Sequence, residues 1–161
     1  MRMESSRYLG SQGGYTLVEV IIAMAIGALL MGAVSSVVYT AWQAASVASS
    51  RVEASSQIRS FESFAYDDFA TSTVPITGEC GTSASPCHTE PIVLSGETYT
   101  WNGSSFVDRH AGSVSIHAAT DVTAFSWYVD ANSTVVVSLT VQVQAYSESQ
   151  TFRFYPRINN P

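Results

Sequence analysis

Positive charge is scarce in this chain of 161 residues, which contains no lysine and only seven arginines. Against 13 acidic residues this gives a formal net charge of −6 at pH 7. Proteins that bind nucleic acid without sequence preference neutralise its phosphates with clustered Lys and Arg side chains. The charge balance of this chain therefore does not support nucleic-acid binding.

Charge of either sign is missing altogether from residues 20–50. The first part of this stretch, 20–39, consists of Val, Ile, Ala, Met, Leu and Gly with two Ser and one Tyr. About 20 such residues are enough for a helix to cross the hydrocarbon core of a bilayer. The stretch predicts a transmembrane helix, which we place at 15–41. Two arginines in the polar residues before it favour a cytoplasmic N-terminus, so that 42–161 would lie on the outer side.

Helix-breaking residues are also rare in the first half of the chain. No proline occurs before Pro75, and only two glycines lie between Gly14 and Gly78. Beyond Trp42 the composition becomes more polar, but one set of apolar residues keeps the helical period: Val47, Ala54, Ile58, Phe61 and Ala65. We expect one helix from about residue 15 to about residue 70, apolar on all sides at first and then amphipathic.

The second half of the chain changes to the period of two that is typical of strands. A connecting loop is expected over 71–97 and an antiparallel sheet over 98–156. The predicted strands lie on both sides of the turn signal Asn102-Gly103 and then at 114–116, 122–129, 134–146 and 151–155. One face of these strands is apolar, so the amphipathic helix should cover it. The predicted fold class is α+β.

Directly before the apolar run stands Gly13-Gly14-Tyr15-Thr16-Leu17-Val18-Glu19. This string resembles the type IV prepilin signature: a short leader that ends in Gly, an aromatic first residue of the mature chain, then Thr-Leu-x-Glu and a hydrophobic helix. The strand pattern over 121–143 is similar to the C-terminal region of minor pilins and of the larger minor pseudopilins, the W- and J-like classes. The resemblance implies the pilin fold, a long helix packed on an antiparallel sheet.

The same resemblance implies how the chain is processed and used. A prepilin peptidase would remove the leader 1–14 by cutting after Gly14 and would methylate the new amine of Tyr15. The helix at 15–41 would anchor the subunit as a single pass in the inner membrane and later lie in a filament core, at the cell surface or in the periplasm. Partners would be other pilins or pseudopilins, the peptidase and the inner-membrane assembly platform.

Two other functions are compatible with the sequence. The outer domain would be an adhesin or a DNA-uptake element at a filament tip, or the chain would be a plain membrane-anchored exported domain. An ordinary secretory signal is cut after its hydrophobic region, whereas the cut after Gly14 precedes it. A plain anchor explains the hydrophobic run but leaves the string around Glu19 unexplained.

Glu19 stands at the entrance to the apolar run. An acid in the first turn of a helix gains less than about 1 kcal/mol from the helix dipole. A carboxylate inside the membrane costs about 2.5–3.5 kcal/mol, so a cationic partner is expected. By resemblance this partner is the methylated amine of Tyr15, of the same or a neighbouring subunit. The pseudopilin at the extreme tip lacks the acid, so Glu19 implies a place below the tip or within the shaft.

The two cysteines, Cys80 and Cys87, lie outside the apolar run. In an exported protein such a pair favours a disulfide. A metal site is the alternative, built from Cys87, His88 and the nearby Glu79 and Glu90, but zinc usually needs four closely spaced ligands. Both cysteines precede the predicted sheet, whereas major pilins of the best-known kind carry their disulfide near the C-terminus, which argues against a standard major pilin.

Chemistry performed by the chain itself is not indicated. No Gly-x-Ser-x-Gly element or other nucleophile motif occurs. The candidate calcium ligands are Asp67 and Asp68, or Asp130 with Asn132. Either set provides fewer oxygen atoms than the six to eight ligands that Ca²⁺ takes. We therefore expect a non-enzymatic protein without a cofactor or a bound metal.

Overall fold

The computed structural model describes residues 14–75, 80–103 and 105–157. The predicted leader, apart from Gly14, lies outside the described residues, and so does Glu79. The chain forms two compact units, an N-terminal one that ends at Ala44 and a C-terminal one that begins at Ala45. Each unit has its own physical character.

The first element is α1, a single helix of 55 residues at Leu17–Thr71. This confirms the single long helix predicted from the scarcity of Pro and Gly. The helix ends in a run of polar and β-branched residues before Pro75, and proline disfavours helical geometry in the residue before it. At this end Ser72 donates to the carbonyl oxygen of Phe69 from its amide, at 3.4 Å, and from its hydroxyl, at 3.2 Å.

In the N-terminal unit, α1 is apolar on all sides. Within the described residues, none of the helical side chains before Ser50 is buried. A helix that is apolar around its whole circumference is stable where its surroundings are apolar too, in a membrane or in a large protein core. By length and composition α1 is able to cross a membrane.

In the C-terminal unit, α1 buries one stripe of side chains. The buried residues are Ser50, Ala54, Ile58, Phe61, Ala65, Asp68 and Phe69. Most of the predicted stripe is therefore confirmed. Val47 is the exception: it is 54% exposed, because it precedes Ser50, the first helical residue that the core covers.

Within the described residues after the helix, seven antiparallel strands form two sheets. The first sheet has the order β1-β2-β3-β4, with strands at Ile92–Val93, Glu97–Thr100, Phe106–Ala111 and Val114–Thr120. The second sheet has the order β5-β6-β7, with strands at Val122–Val129, Val135–Val143 and Tyr146–Phe154. The region predicted as a connecting loop, 71–97, thus already contains β1 and the start of β2.

The expectation of one sheet was wrong, because the chain changes sheets at Asp121. This single residue separates β4 from β5 and has a φ of 57°, a left-handed conformation that does not continue a strand. The two strands therefore belong to different sheets.

The predicted strand at 134–146 was too long. The strand β6 ends at Val143, and Gln144 and Ala145 form a two-residue turn, after which Tyr146 pairs with Val143 and begins β7. Gln144 has a φ of 54°. Gln-Ala is not one of the dipeptides that usually mark such a turn, so the sequence did not reveal it. Consequently β7 begins at Tyr146, not at 151.

Aromatic rings from α1 join both sheets. The ring of Phe61 lies 5.7 Å from Tyr99 of the first sheet, and 6.2 Å from Phe125 and 5.6 Å from Phe152 of the second. About two helical turns further along, Phe69 stacks on Phe154 with the ring centroids 4.4 Å apart. The hydrophobic core is therefore a single layer between the helix and two sheets.

The loop at 80–91 is hydrogen-bonded to β5, an edge strand of the second sheet. Cys80 and Cys87 form a disulfide with their Cα atoms 5.0 Å apart, which is the pairing that the sequence predicted. Cys87 exchanges both backbone hydrogen bonds with Trp127, at 2.8 and 2.9 Å, and the amide of Val129 donates to Gly81 at 2.9 Å. The indole of Trp127 donates to the carbonyl oxygen of Glu90 at 2.9 Å.

Removal of the disulfide should loosen this loop more than the sheets. The Cys80→Ser/Cys87→Ser variant is expected to lose about 2–3 kcal/mol of unfolding free energy, because its unfolded chain regains the freedom that the closed loop removes. Hydrogen exchange should become faster over 80–91 and stay unchanged in the central strand β6. Chemically reduced parent protein is the matched control. Alkylation of two free thiols in the unreduced parent would show that the bond does not form.

Candidate functional site

The bond between Gly14 and Tyr15 lies outside the helix, in exposed chain. Tyr15 is 82% exposed, and a Cβ atom added at Gly14 would meet no atom within 4 Å. Gly14 is also not among the residues with a positive φ. Nothing in the described chain therefore requires glycine at this position.

Thr16 fixes where α1 begins. The amide of Glu19 donates to the Thr16 hydroxyl oxygen at 3.3 Å and to its carbonyl oxygen at 3.0 Å. A Thr followed three positions later by Glu, before an apolar run, is the sequence pattern of a helix capping box. The analysis of the sequence did not assign this role to Thr16, although the Thr-x-x-Glu spacing carries the signal. Tyr15 and Gly14 are thereby kept outside the helix.

Glu19 lies in the first turn of α1 and is exposed. Among the described residues its carboxylate has no hydrogen bond or ion pair. The positive end of the helix dipole favours an acid here, but no neighbouring cation in the described chain neutralises it.

The cysteines do not offer a metal site. The sulfur atoms of Cys80 and Cys87 lie near a carboxylate oxygen of Glu90, but they are bonded to each other, and a disulfide supplies no thiolate ligand. The backbone amide of His88 donates to the Glu90 carboxylate at 3.3 Å. The ring nitrogen Nδ1 of His88 lies 3.3 Å from the carbonyl oxygen of Phe125. The contacts in this loop join the loop to β5.

Asp68 is an internal counter-ion, not a free calcium ligand. Its carboxylate accepts hydrogen bonds from Nε and Nη2 of Arg109, at 2.5 and 2.7 Å, and from the hydroxyl of Tyr99, at 2.5 Å. The guanidinium also lies 5.8 Å from the ring of Phe64 and 3.9 Å from Glu97. The hydrogen bond to Asp68 raises the pKa of Arg109. Burial raises the pKa of Tyr99, and the hydrogen bond to the Asp68 carboxylate raises it further.

The pairing of Asp68 was missed in the sequence analysis. Its signal was an acid on a stripe whose other members from Ala54 onward are apolar, at the spacing of Phe61 and Ala65. The other calcium candidate, Asp130, accepts the amide of Ala131 at 2.6 Å and lies 3.8 Å from Nη1 of Arg153. Both carboxylates are therefore engaged within the protein.

Comparison with known proteins identifies the N-terminal segment. Residues 9–35 match the family described as the prokaryotic N-terminal methylation motif. No curated protein and no solved structure matches the chain. The chain therefore carries a prokaryotic N-terminal methylation motif, which is typical of the precursors of type IV pilin-like proteins.

This motif has consequences for the class of protein. It supports a pilin-like or pseudopilin-like precursor that is processed by a prepilin peptidase and assembles with other subunits of its kind. Such proteins are structural subunits, and the apolar part of α1 indicates anchoring in a membrane before assembly. The long helix followed by antiparallel sheets is consistent with the pilin fold.

Proposed function

We propose that this chain is a non-enzymatic minor subunit of a type IV pilus or of a type II secretion pseudopilus. The observation that carries this proposal is the methylation motif at 9–35, which includes the start of α1 and leads into the part of that helix that is apolar on all sides. The disulfide supports a minor subunit, since it precedes β1 instead of lying near the C-terminus.

The processing step acts on the exposed segment before the helix. The peptidase cuts after Gly14, releases the leader 1–14 and methylates the amine of Tyr15. Glycine has no side chain, so an extended Gly14 fits a narrow site in the peptidase. The cap at Thr16 starts the helix two residues after the cut and leaves the bond in a non-helical conformation.

The mature chain then has two parts with different surroundings. The segment 15–41 lies in the inner membrane and later in the filament core, and the domain 42–161 is exported and displayed. Arg2 and Arg7 of the leader favour the orientation with the N-terminus in the cytoplasm. The carboxylate of Glu19 pairs with the amine of Tyr15 on a neighbouring subunit.

Replacement of Gly14 by valine should stop processing. We expect the Gly14→Val protein to accumulate in the membrane as the full-length precursor, and the parent to lack residues 1–14 and carry a methyl group on Tyr15. Intact-mass analysis of membrane-purified protein measures both. Gly10→Val, in the leader but away from the cut, is the matched control and should be processed. A parent that still begins with Met1 would contradict the proposal.

Assembly is tested separately from processing. Filaments sheared from the cell surface, or pseudopili from a secretion system that is overexpressed, should contain the mature chain by mass spectrometry. A processed chain that stays only in the membrane would instead identify a plain anchored domain.

A further inference from the structure

Between Gly14 and Ala44, aromatic side chains stand only at the two ends of the apolar run. Tyr15 precedes the run, Tyr39 and Trp42 follow it, and residues 16–38 contain no Phe, Tyr or Trp. Since Tyr39 and Trp42 are three positions apart on α1, they are neighbours on one face of the helix. The aromatic rings therefore flank the apolar segment and do not interrupt it.

The two rings at the far end of the run are not covered by protein. Tyr39 is 63% exposed and Trp42 is 72% exposed, and no side chain in the most apolar window of α1 is buried. Each ring joins a polar group, the hydroxyl of Tyr39 or the indole N–H of Trp42, to an apolar body. Such side chains are enriched where hydrocarbon meets water, because the two parts prefer different surroundings.

The spacing along the helix fits the thickness of a bilayer. From Leu17, where α1 begins, to Tyr39 the helix rises by about 33 Å. The hydrocarbon core of a bilayer is about 30 Å thick. When the start of α1 lies at one interface, Tyr39 therefore reaches the other interface, and Trp42 lies nearly one turn further out.

The polar side chains near this end of the run are satisfied inside the helix. The hydroxyl of Ser36 donates to the carbonyl oxygen of Ala33 at 2.8 Å. The hydroxyl of Thr40 donates to the carbonyl oxygens of Ser36 and Val37, at 3.1 and 3.0 Å. Polar groups in hydrocarbon need partners within the protein, and these hydroxyls have them. Lipid is therefore able to cover the helix as far as Tyr39.

No charged side chain marks this end of the apolar run. The first charged residue after Glu19 is Arg51, and residues 43–50 are Gln, Ala, Ser and Val only. Small and weakly polar side chains do not hold a helix at one depth in a membrane, whereas Trp, Tyr, Lys and Arg at the interface do. Tyr39 and Trp42 are therefore the side chains that distinguish one depth of α1 from another at its outer end.

We propose that Tyr39 and Trp42 bind the outer lipid–water interface of the inner membrane and fix the depth of α1, so that the Gly14–Tyr15 bond is presented at the inner interface. This inference rests on the proposed function, since the segment 15–41 has to span that membrane. The partner of the two rings is the headgroup region of the bilayer. A shift of α1 along the membrane normal moves the Gly14–Tyr15 bond by the same distance, so the two rings act on processing from the opposite end of the helix.

The first test measures the depth of Trp42 in vesicles of phosphatidylethanolamine and phosphatidylglycerol. The full chain is reconstituted at a low ratio of protein to lipid, with bromine atoms on the acyl chains either near the headgroups or near the chain ends. The fluorescence that the parent has and Trp42→Phe lacks belongs to Trp42, and bromines near the headgroups should quench it most. Leu29→Trp in the Trp42→Phe background is the control, because it lies near the middle of the run and should be quenched most by bromines near the chain ends.

The second test measures the rate of leader removal in cells by pulse–chase labelling. Tyr39→Leu/Trp42→Leu keeps the helix apolar but lengthens the apolar segment outward, so α1 settles closer to the cytoplasm and leader removal should be severalfold slower. Tyr39→Trp/Trp42→Tyr keeps both interfacial rings and should be processed at the rate of the parent. The matched control Val37→Leu/Val38→Leu changes two neighbouring exposed side chains and should also behave like the parent. Circular dichroism shows that each variant is folded.

Two kinds of result would overturn the inference while the proposed function stands. One is a processed parent whose Trp42 is quenched most by bromines near the chain ends, or by neither set, since its ring would then face hydrocarbon, water or protein. The other is leader removal at the parental rate in Tyr39→Leu/Trp42→Leu. A parent that keeps its leader, together with a Leu29→Trp signal that no bromine quenches, would overturn the proposed function as well.

Discussion

Replacement of Asp68 by alanine is expected to cost about 3–5 kcal/mol of the free energy of unfolding. The Arg109 side chain is 18% exposed, and the Asp68 side chain that carries the carboxylate is 9% exposed. Its removal leaves a largely buried cation without its counter-ion and the Tyr99 hydroxyl without its acceptor. Because domains of this size are stable by only about 5–15 kcal/mol, the loss is a large fraction of the total.

Denaturant unfolding of the full chain in detergent measures this effect, with Trp127, which is 2% exposed, as the fluorescent reporter of the core. Asp67→Ala is the matched control: it removes an exposed acid next in sequence and should change stability by less than about 0.5 kcal/mol. The Asp68→Leu/Arg109→Met variant removes both charges and should recover much of the loss. Equal stabilities of the Asp68→Ala and Asp67→Ala proteins would show that the ion pair adds nothing.

Replacement of Glu19 by valine is expected to prevent recruitment into filaments while the subunit still inserts in the membrane. The change removes a carboxylate whose burial costs about 2.5–3.5 kcal/mol, so insertion does not suffer. If Glu19 pairs with the Tyr15 amine of a neighbouring subunit, as proposed, recruitment loses that ion pair. A pair worth more than about 1.4 kcal/mol changes incorporation more than tenfold. The filament fraction, compared with the membrane fraction by quantitative immunoblotting, measures it.

Two variants separate pairing from helix capping at this position. Thr16→Ala removes the cap, which is worth about 1 kcal/mol, and keeps the carboxylate, so it should assemble far better than Glu19→Val. Glu19→Asp keeps the charge but retracts it by one methylene and should assemble at an intermediate level. If Glu19→Val enters filaments as well as the parent does, the carboxylate serves only the start of the helix.

Local sequence patterns predicted some elements closely and others not at all. The bounds of β5, Val122–Val129, and nearly those of α1 were readable, because each has a strong period and ends in residues that break it. The change of sheet at Asp121 and the turn at Gln144 were not, because both depend on left-handed residues that are not glycine. Residues other than glycine adopt a positive φ in only a few per cent of cases, so the sequence gives little warning of such a conformation.

Some residues of the candidate site were likewise predictable from the sequence, and others were not. Gly14, Tyr15 and Glu19 form a contiguous string, so the sequence alone placed them together, and their roles in processing and assembly remain predictions. The pairing of Asp68 with Arg109 joins residues 41 positions apart. No local pattern specifies the partner of a buried acid across that distance, although its place among apolar residues signals that a partner is needed.

The loop at 80–91 also limits the pairing of other chains with the edge of the second sheet. The outer side of β5 would present unpaired backbone groups, which invite strand addition by a foreign chain and the growth of aggregates. Through Trp127 and Val129, Cys87 and Gly81 occupy part of that edge. The disulfide closes the loop that covers this part of β5, so these backbone groups are not open to strand addition by another chain.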